Sequence, residues 1–340
     1  MRLHASGVCH SDFNAIDGTA ETRCPAVLGH EGAGVVEAAG PGVALAAGQP
    51  VMLSWLPACG RCAECLRDLP HLCGAAWASM GHGGLLDGTP RLSRDGGEPV
   101  FHYSFLSTFA ERTVVPAACC IPIPDGVPFE IAALAGCAVA TGTGAVWRTA
   151  GVRPGERVAV FGCGGVGMSA VLGAVAAGAG TVVAVDLAPD KLEAALALGA
   201  THAVAWAGDA EATGAAVVEA TGGGVDYAFE ATGRPEAARA AFLATRPRGA
   251  AVLIGIPAAD AVLTLPALPI PRGERRVLGS VYGSSRPERD FPALLGMYQS
   301  GRLPLDRLVS RRLPLDAVDE AFAAMRGGEA LRVVLDLEAA

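Results

Sequence analysis

The sequence predicts an α/β protein in which a β-rich N-terminal region precedes a doubly wound parallel sheet. Residues 1–57 alternate short apolar runs with Gly and Pro, a pattern typical of short strands and turns. From Gly155 onward, apolar strand segments alternate with helical segments, which indicates βαβ units and a parallel sheet. The chain has 340 residues, of which 51% are apolar, so we expect two domains with sizeable cores.

The individual elements follow from the same patterns. Residues 81–99 are rich in glycine and predict an exposed loop, and residues 109–115 predict a strand. In the alternating region the predicted strands are 157–161, 181–185, 225–230 and 250–255, and the predicted helices begin near Val166 and cover 189–198 and 235–244. Two amphipathic helices at 291–299 and 315–325 and a strand at 332–337 complete the chain.

Composition excludes several classes of function. The net charge of −8 argues against a nucleic-acid partner, because phosphate binding needs a basic face. No basic segment precedes an apolar run near the N-terminus, so we expect no signal peptide. Residues 158–185 carry no charge and are long enough to cross a membrane, but interrupting glycines favour three short elements over one span.

Four of the ten cysteines form a dense cluster, CGRCAECLRDLPHLC. Four thiolates at this spacing predict a closed tetrahedral zinc site with a structural role. The alternatives are an iron–sulfur cluster and an incidental disulfide pair, although the bacterial iron–sulfur sequence ending in Cys-Pro is absent. Cysteines that bind metal indicate a reducing compartment, so we expect the cytosol. The predicted ligands are Cys59, Cys62, Cys65 and Cys73.

A second motif, GCGGVG at 162–167, follows a predicted strand and opens a predicted helix. That context is the one that the dinucleotide-binding fingerprint of a Rossmann domain requires. Gly162 makes the turn, Gly164 lets the backbone approach the pyrophosphate, and Gly167 lets helix and strand pack closely. Asp186 ends the next predicted strand, where it would bind the ribose 2′-hydroxyl and repel a 2′-phosphate, so NAD is favoured over NADP.

A third group of residues suggests a catalytic zinc. Cys9 and His30 are thiolate and imidazole ligands of the kinds that zinc prefers, and Cys137 is the candidate third ligand. A catalytic zinc site keeps its fourth position open for water or substrate. The spacing alone leaves open that these residues are buried apolar cysteines and an ordinary histidine.

Taken together, these motifs resemble the medium-chain, zinc-dependent alcohol dehydrogenases, most closely the liver-type and glutathione-dependent formaldehyde dehydrogenase classes. The matching stretches are SGVCHSD, LGHEGAG, CGRCAECL, STFAERTVV, GCGGVG and LRVVLDL. The resemblance implies a GroES-like catalytic domain formed by residues 1–138 and 282–340, with the cysteine cluster at 58–75. A Rossmann domain at 139–281 would be inserted between the two parts.

The resemblance also implies roles for individual residues. Cys9, His30 and Cys137 would hold the catalytic zinc, with Glu31 behind them as an alternative ligand. Asp12 would orient His30, and Ser11 would accept the proton of the substrate. The implied cofactor contacts are Thr141, the loop residues Gly162, Gly164, Gly165, Val166 and Gly167, and Asp186, Lys191, Arg234 and Arg332. The expected substrate pocket contains Leu56, Tyr103, Pro257 and Val281.

The implied activity is hydride transfer between NAD and a primary aliphatic or aryl alcohol, with zinc lowering the pKa of the alcohol. The expected pocket residues are mainly apolar, which suits such substrates. Alternatives are a relative specific for formaldehyde or aryl alcohols, and a non-catalytic NAD-binding scaffold. We expect two zinc ions per chain, a small-molecule substrate, no membrane or nucleic acid, and a homodimer or homotetramer.

The sequence departs from the family pattern in three places. Met1 stands only eight residues before Cys9, where the family has further strands, so we expect either a misassigned or truncated start or an unusual sheet edge. Asn14 occupies a position where many relatives have a histidine that ends the proton relay, and an amide cannot titrate. His10 replaces a pyrophosphate-binding arginine, which predicts weaker NAD binding above pH 7.

Overall fold

The structure, a computed structural model, describes residues 1–328 and 330–338. Its strands are Arg2–Val8 (β1), Ala26–Val27 (β2), Glu31–Val35 (β3), Pro50–Leu53 (β4), Leu92–Ser93 (β5), Pro99–His102 (β6), Cys120–Pro122 (β7), Arg157–Phe161 (β8), Thr181–Asp186 (β9), His202–Ala205 (β10), Val225–Glu230 (β11), Thr245–Leu253 (β12), Arg276–Gly279 (β13), Val309–Pro314 (β14) and Arg332–Asp336 (β15). Its α-helices are His10–Ile16 (α1), Ala63–Leu66 (α2), Gly74–Met80 (α3), Phe129–Leu134 (α4), Ala140–Gly144 (α5), Gly165–Ala176 (α6), Pro189–Ala197 (α7), Ala210–Ala220 (α8), Pro235–Ala244 (α9), Pro269–Gly273 (α10), Pro287–Gln299 (α11) and Val318–Arg326 (α12).

The chain divides into two compact units. The first combines Met1–Ala138 with Ser285–Ala340, and the second is Val139–Ser284. The first unit contains a six-stranded sheet in the order β14-β15-β1-β3-β4-β7 and a small sheet of β2, β6 and β5. Its core includes Leu3 of β1, Phe322 of α12, and Val333 and Leu335 of β15.

Strand β1 lies inside this sheet, antiparallel to β15 on one side and to β3 on the other. The unusual sheet edge expected near the chain start is therefore not found at β1. The strand predicted at 109–115 is also wrong, because only an isolated bridge forms between Arg112 and Arg2. β15 pairs with Ala5 through Val8, and the 111–113 segment makes backbone hydrogen bonds to Met1 and Leu3 without forming a ladder.

The second unit contains a parallel six-stranded sheet in the order β10-β9-β8-β11-β12-β13. This order confirms the doubly wound sheet, and it reverses between β8 and β11, where such sheets bind ligands at their carboxyl ends. Strands β8 and β11 and helix α9 have the predicted bounds, whereas β12 begins at Thr245, earlier than predicted. Phe161, Val183 and Phe242 are among the fully buried side chains of its core.

Two stretches of the chain meet the length and composition of a membrane span. The uncharged stretch 158–185 forms β8, α6 and β9, which confirms three short elements. The continuous helix Phe129–Ala150 was not anticipated, and it is long and apolar enough to cross a membrane. Of its most apolar 18-residue window, 78% is buried inside the protein, as in a core helix.

Candidate active site and metal centres

The three predicted catalytic ligands come together in the first unit. One ligand atom from each of Cys9, His30, Glu31 and Cys137 lies within 4.8 Å of the others. Cys9 precedes α1, and His30 directly precedes β3. β1 and β3 are paired with Gly7 opposite Glu31, and a Cβ at Gly7 would lie 2.1 Å from Glu31 Oε2, so the close approach requires glycine.

Cys137 is brought to this cluster by a π-helical segment, Ala135–Val139, between α4 and α5. Such bulges are frequent at functional sites because they change the direction of a side chain within a helix. The segment packs closely against β4, since a Cβ at Gly136 would lie 2.4 Å from the Leu53 carbonyl oxygen. Helix packing and the π segment together supply the third ligand.

Asp12 holds the other two ligands in place. Its Oδ1 accepts hydrogen bonds from His30 Nδ1 at 2.9 Å and from the Gly29 N–H at 3.1 Å. Its Oδ2 accepts from the Cys9 N–H at 3.1 Å, and the carboxylate is fully buried. With Nδ1 donating to Asp12, Nε2 of the imidazole is free for a metal, as in carboxylate–histidine–zinc arrangements.

The electrostatics of the cluster favour a cation. Burial disfavours a charged His30, but the carboxylate of Asp12 and the thiolate of Cys9 outweigh it and raise the pKa of His30 well above its usual value. The Cys137 thiol donates a hydrogen bond to Cys9, which lowers the pKa of Cys9 and raises that of Cys137. A bound metal ion takes the place of such protons, because zinc binds thiolates and a neutral imidazole. The donor set therefore fits zinc.

Behind the ligands lies a buried ion pair between Glu31 and Arg332, in which Arg332 Nη2 donates to Glu31 Oε2. Glu31 is fully buried and Arg332 is 6% exposed, and burial raises the pKa of Glu31 to about 7. Glu31 Oε1 has no hydrogen-bond partner within the described part of the chain. This oxygen is available to a metal, which supports the role implied for Glu31. The dinucleotide contact of Arg332 stays a prediction.

Helix α1 carries the predicted proton acceptor beside the ligands. Ser11 Oγ lies 3.9 Å from Cys9 Sγ, and the Ser11 carbonyl accepts a 2.8 Å hydrogen bond from the Tyr103 hydroxyl. His10 is exposed at the first position of the same helix, and Asn14 lies one turn further on. The cofactor contact of His10 and the proton-relay role of Ser11 are not tested by this geometry.

The four cysteines of the dense cluster also converge. Sγ of Cys59 lies 4.0 Å from that of Cys65, and Sγ of Cys62 lies 3.9 Å from that of Cys73. Ligands of a tetrahedral zinc with Zn–S bonds of about 2.3 Å lie about 3.8 Å apart, so the cage fits zinc. All four are free thiols, which excludes the disulfide alternative. Backbone N–H donors of Arg61 and Cys62 lower the pKa of Cys59 to about 6.

The glycine motif of the second unit has the predicted geometry. Gly162 has φ of +90°, and a Cβ at Gly167 would lie 1.7 Å from the Gly162 carbonyl oxygen. Gly164 is exposed with open space around it, and α6 begins at Gly165. Asp186 at the end of β9 accepts hydrogen bonds from two backbone N–H groups, those of Cys163 at 2.7 Å and of Ala188 at 3.0 Å.

A cavity of about 510 Å³ opens beside Asp186, at the carboxyl ends of the parallel strands. Arg234, one of the predicted cofactor residues, also lines it, while Thr141, Val166 and Lys191 are half-buried elsewhere in this unit. Several residues that line this cavity could not be predicted from the sequence, because they belong to no recognisable motif. These are Leu187, Trp206, Gly208, Thr232 and Glu236.

The predicted substrate-pocket residues lie in both units. In the first unit, the Tyr103 ring packs edge-on against His30, with centroids 5.7 Å apart, and Leu56 lines a separate cavity of about 290 Å³ next to Cys65. In the second unit, Pro257 is exposed and Val281 is half-buried. Tyr103 thus contacts a predicted metal ligand, and the pocket roles of all four residues stay predictions.

Comparison with known proteins identifies the family. Residues 1–125 match the alcohol dehydrogenase GroES-like domain, and residues 165–300 match the zinc-binding dehydrogenase family. The chain is 36% identical to S-(hydroxymethyl)glutathione dehydrogenase of Paracoccus denitrificans, covering 98% of this chain and 91% of the relative.

Two solved structures have the same fold. One is an alcohol dehydrogenase zinc-binding domain protein from Burkholderia ambifaria, with a TM-score of 0.94 at 39% identity, covering 99% of this chain and 90% of that one. The other is benzyl alcohol dehydrogenase from Acinetobacter calcoaceticus, with a TM-score of 0.90 at 31% identity, covering 98% and 90%. This protein therefore belongs to the zinc-dependent medium-chain alcohol dehydrogenases, enzymes that transfer hydride between NAD and an alcohol or aldehyde.

Proposed function

We propose that the protein oxidises primary alcohols, aryl alcohols in particular, at a centre formed by Cys9, His30 and Cys137. The observation that carries this proposal is the convergence of these ligands, with Asp12 on the far nitrogen of the imidazole. When bound, zinc supplies Lewis-acid chemistry that lowers the pKa of an alcohol. Ser11 is assigned as the residue that accepts the alcohol proton, since its hydroxyl lies beside the ligands.

The residues around the centre support a short proton path. Asn14 cannot take a proton, so the path from Ser11 continues through cofactor hydroxyls and water rather than through a side-chain base. Glu31 lies on the buried side of the ligands and is paired with Arg332, which keeps its carboxylate out of this path. If this is right, Asn14→His changes the pH dependence of the rate, and an unchanged pH–rate profile contradicts the direct route.

Two substrate classes are each favoured by a specific observation. The aromatic ring of Tyr103 at His30 favours a planar aryl alcohol, and the structural similarity to a benzyl alcohol dehydrogenase agrees with it. The 36% identity to S-(hydroxymethyl)glutathione dehydrogenase favours the adduct of formaldehyde and glutathione instead. We infer the aryl class as the principal one, because its support comes from a side chain at the centre.

The first experiment counts zinc in the purified protein by elemental mass spectrometry and then follows NADH formation. The substrates are benzyl alcohol, ethanol, and formaldehyde with and without glutathione. Two zincs and turnover of benzyl alcohol support the proposal, whereas activity that requires glutathione makes the second class correct. Cys137→Ser is expected to lose one zinc and all activity, while the matched control Cys119→Ser, at a buried cysteine outside both clusters, keeps both. NADH binding without turnover of any alcohol means a non-catalytic scaffold.

The remaining assignments concern the cofactor contacts, assembly and location. Asp186 is assigned to the adenosine ribose, and the cavity beside it to the adenine. A homodimer or homotetramer is supported by the exposed apolar side chains of Ile256, Val262 and Leu268, at 74%, 76% and 60% exposure, and light scattering tests it. The ten free thiols support the cytosol, where thiols stay reduced.

A further inference from the structure

A left-handed turn lies beside the catalytic ligands, directly after β6. Ser104, Phe105 and Ser107 have φ of +49°, +61° and +54°, although none of them is glycine. Such a backbone conformation is unfavourable for residues other than glycine, and it persists only where the surrounding structure fixes it. Here Phe105 and Leu106 are 2% and 0% exposed, so their burial holds the turn in its conformation.

Three hydrogen bonds of this turn involve the backbone of Tyr103. Its carbonyl accepts from the N–H groups of Leu106 at 3.0 Å and of Ser107 at 3.2 Å. Its own N–H donates to Ser107 Oγ at 3.1 Å, and that hydroxyl lies 3.4 Å from Nδ1 of the buried His102. The backbone of Tyr103 is therefore fixed on both sides, and the direction of its side chain follows from the turn.

That side chain contacts two members of the catalytic centre at once. The hydroxyl donates to the Ser11 carbonyl at 2.8 Å, and the ring edge packs on His30 at an interplanar angle of 66°. One residue thus links a zinc ligand to the residue assigned to receive the proton.

We propose that Tyr103 is a positioning residue for proton removal, which holds the Ser11 peptide through its hydroxyl and the His30 imidazole through its ring. The strained turn serves this purpose, because a relaxed turn would leave the ring direction undetermined. The inference rests on the proposed function, since it uses the proton-accepting role of Ser11. Tyr103 itself neither takes up nor releases a proton in this scheme.

The test is a double-mutant cycle with Tyr103→Phe and Ser11→Ala, measured as kcat and KM. Tyr103→Phe keeps the ring and loses one hydrogen bond, so kcat is expected to fall about 2- to 10-fold, with the KM for NAD unchanged. The solvent deuterium isotope effect on kcat is expected to rise. In the Ser11→Ala background the same substitution is expected to have no further effect, because the interaction runs through Ser11.

Each outcome discriminates between the two proposals. If Ser11→Ala is as active as the wild type, the proton-accepting role of Ser11 is refuted. If Ser11→Ala is impaired while Tyr103→Phe matches the wild type, or if the two losses are additive, the role of Tyr103 is refuted and that of Ser11 stands. Tyr298→Phe on α11 is the control for the loss of a tyrosine hydroxyl elsewhere, and it is expected to match the wild type.

The ring contact has a readout that is independent of activity. Zinc retained against a chelator series is measured for Tyr103→Phe and Tyr103→Leu. Phe keeps the ring edge on His30, and the chelator midpoint is expected to stay at the wild-type value. Leu removes the ring, and the midpoint for the catalytic zinc is expected to fall several-fold while the zinc of the four-cysteine site stays bound. Equal midpoints for the two variants refute the positioning of His30 by the ring.

Discussion

Replacing Asp12 by Asn should loosen the catalytic zinc without affecting the structural one. The carboxylate accepts three hydrogen bonds, two at Oδ1 and one at Oδ2. An amide has one oxygen, so in either orientation its NH₂ group faces a donor. If the amide oxygen takes the place of Oδ1, the NH₂ group meets the Cys9 N–H. In the opposite orientation it meets both the Gly29 N–H and His30 Nδ1.

The magnitude follows from these contacts. Loss of a carboxylate that orients a ligating histidine typically lowers metal affinity 10- to 100-fold, which is about 1.4–2.7 kcal/mol. A buried donor left facing another donor destabilises the fold by about 1–3 kcal/mol in addition, because Asp12 is fully buried. We expect Asp12→Asn to bind zinc more weakly by this factor and to unfold at a lower temperature.

The assay is a chelator titration in which zinc per chain is counted at each concentration. The wild type should pass from two zincs to one and then to none, and only the first step should move in Asp12→Asn. The zinc of the four-cysteine site is the internal reference. Asp17→Asn, at the exposed end of the same helix, is the matched control. If both steps of Asp12→Asn coincide with those of the wild type, Asp12 does not orient His30 for zinc through its hydrogen bond to Nδ1.

Three further predictions concern other parts of the molecule. Gly167→Ala places a Cβ against the Gly162 carbonyl and should weaken NADH binding more than tenfold, as measured by fluorescence titration, with the zinc content unchanged. The control is Gly296→Ala, at an exposed glycine with open space around it, which should bind NADH like the wild type. Trp206→Ala should raise the KM for NAD about 5- to 150-fold with kcat unchanged, since base stacking contributes about 1–3 kcal/mol, and Trp206→Phe should retain most of the affinity. Burial lowers the pKa of His102 to about 4. Neutral His102 therefore makes its full contribution to the free energy of unfolding above about pH 6.5, and this contribution is lost as the pH falls towards 4. The free energy of unfolding is measured by urea titration at each pH. In His102→Gln it should lose this part of its dependence on pH, which is at most about 1.4 kcal/mol per pH unit, and an unchanged slope contradicts the lowered pKa of His102.

The parts of the fold that could be predicted are those in which local chemistry decides the structure. β8 and β11 have the predicted bounds because each is a short, mainly apolar run whose charged residues stand at or next to its ends, with glycine or polar residues close by on either side. The four-cysteine cage was predictable because its ligands lie within fifteen residues, so the loop between them leaves few arrangements. The glycine motif was predictable because each glycine meets a steric requirement of the strand–turn–helix unit.

What could not be predicted depends on contacts between distant segments. The pairing of Glu31 with Arg332 joins residues 301 positions apart, and no periodicity in the sequence predicts it. The Tyr103 hydroxyl reaches Ser11 only because a turn of non-glycine residues adopts positive φ, which propensity argues against. Trp206 follows a short strand with mostly exposed side chains, and its place in the cavity wall appears only when β10 pairs with β9.

The charges of the catalytic centre explain why these distant contacts belong together. Two thiolates, Cys9 and Cys137, and two carboxylates, Asp12 and Glu31, would bring four negative charges into a region with one buried guanidinium, that of Arg332. The sum is −3, and buried charge of one sign is strongly unfavourable unless it is compensated. Without a metal these groups keep protons: the hydrogen bond to Cys9 raises the pKa of Cys137, burial raises that of Glu31, and Asp12 and Cys9 raise that of His30. A zinc ion reduces the sum to −1 and removes the need for those protons, so the ion completes the electrostatics that the fold assembles.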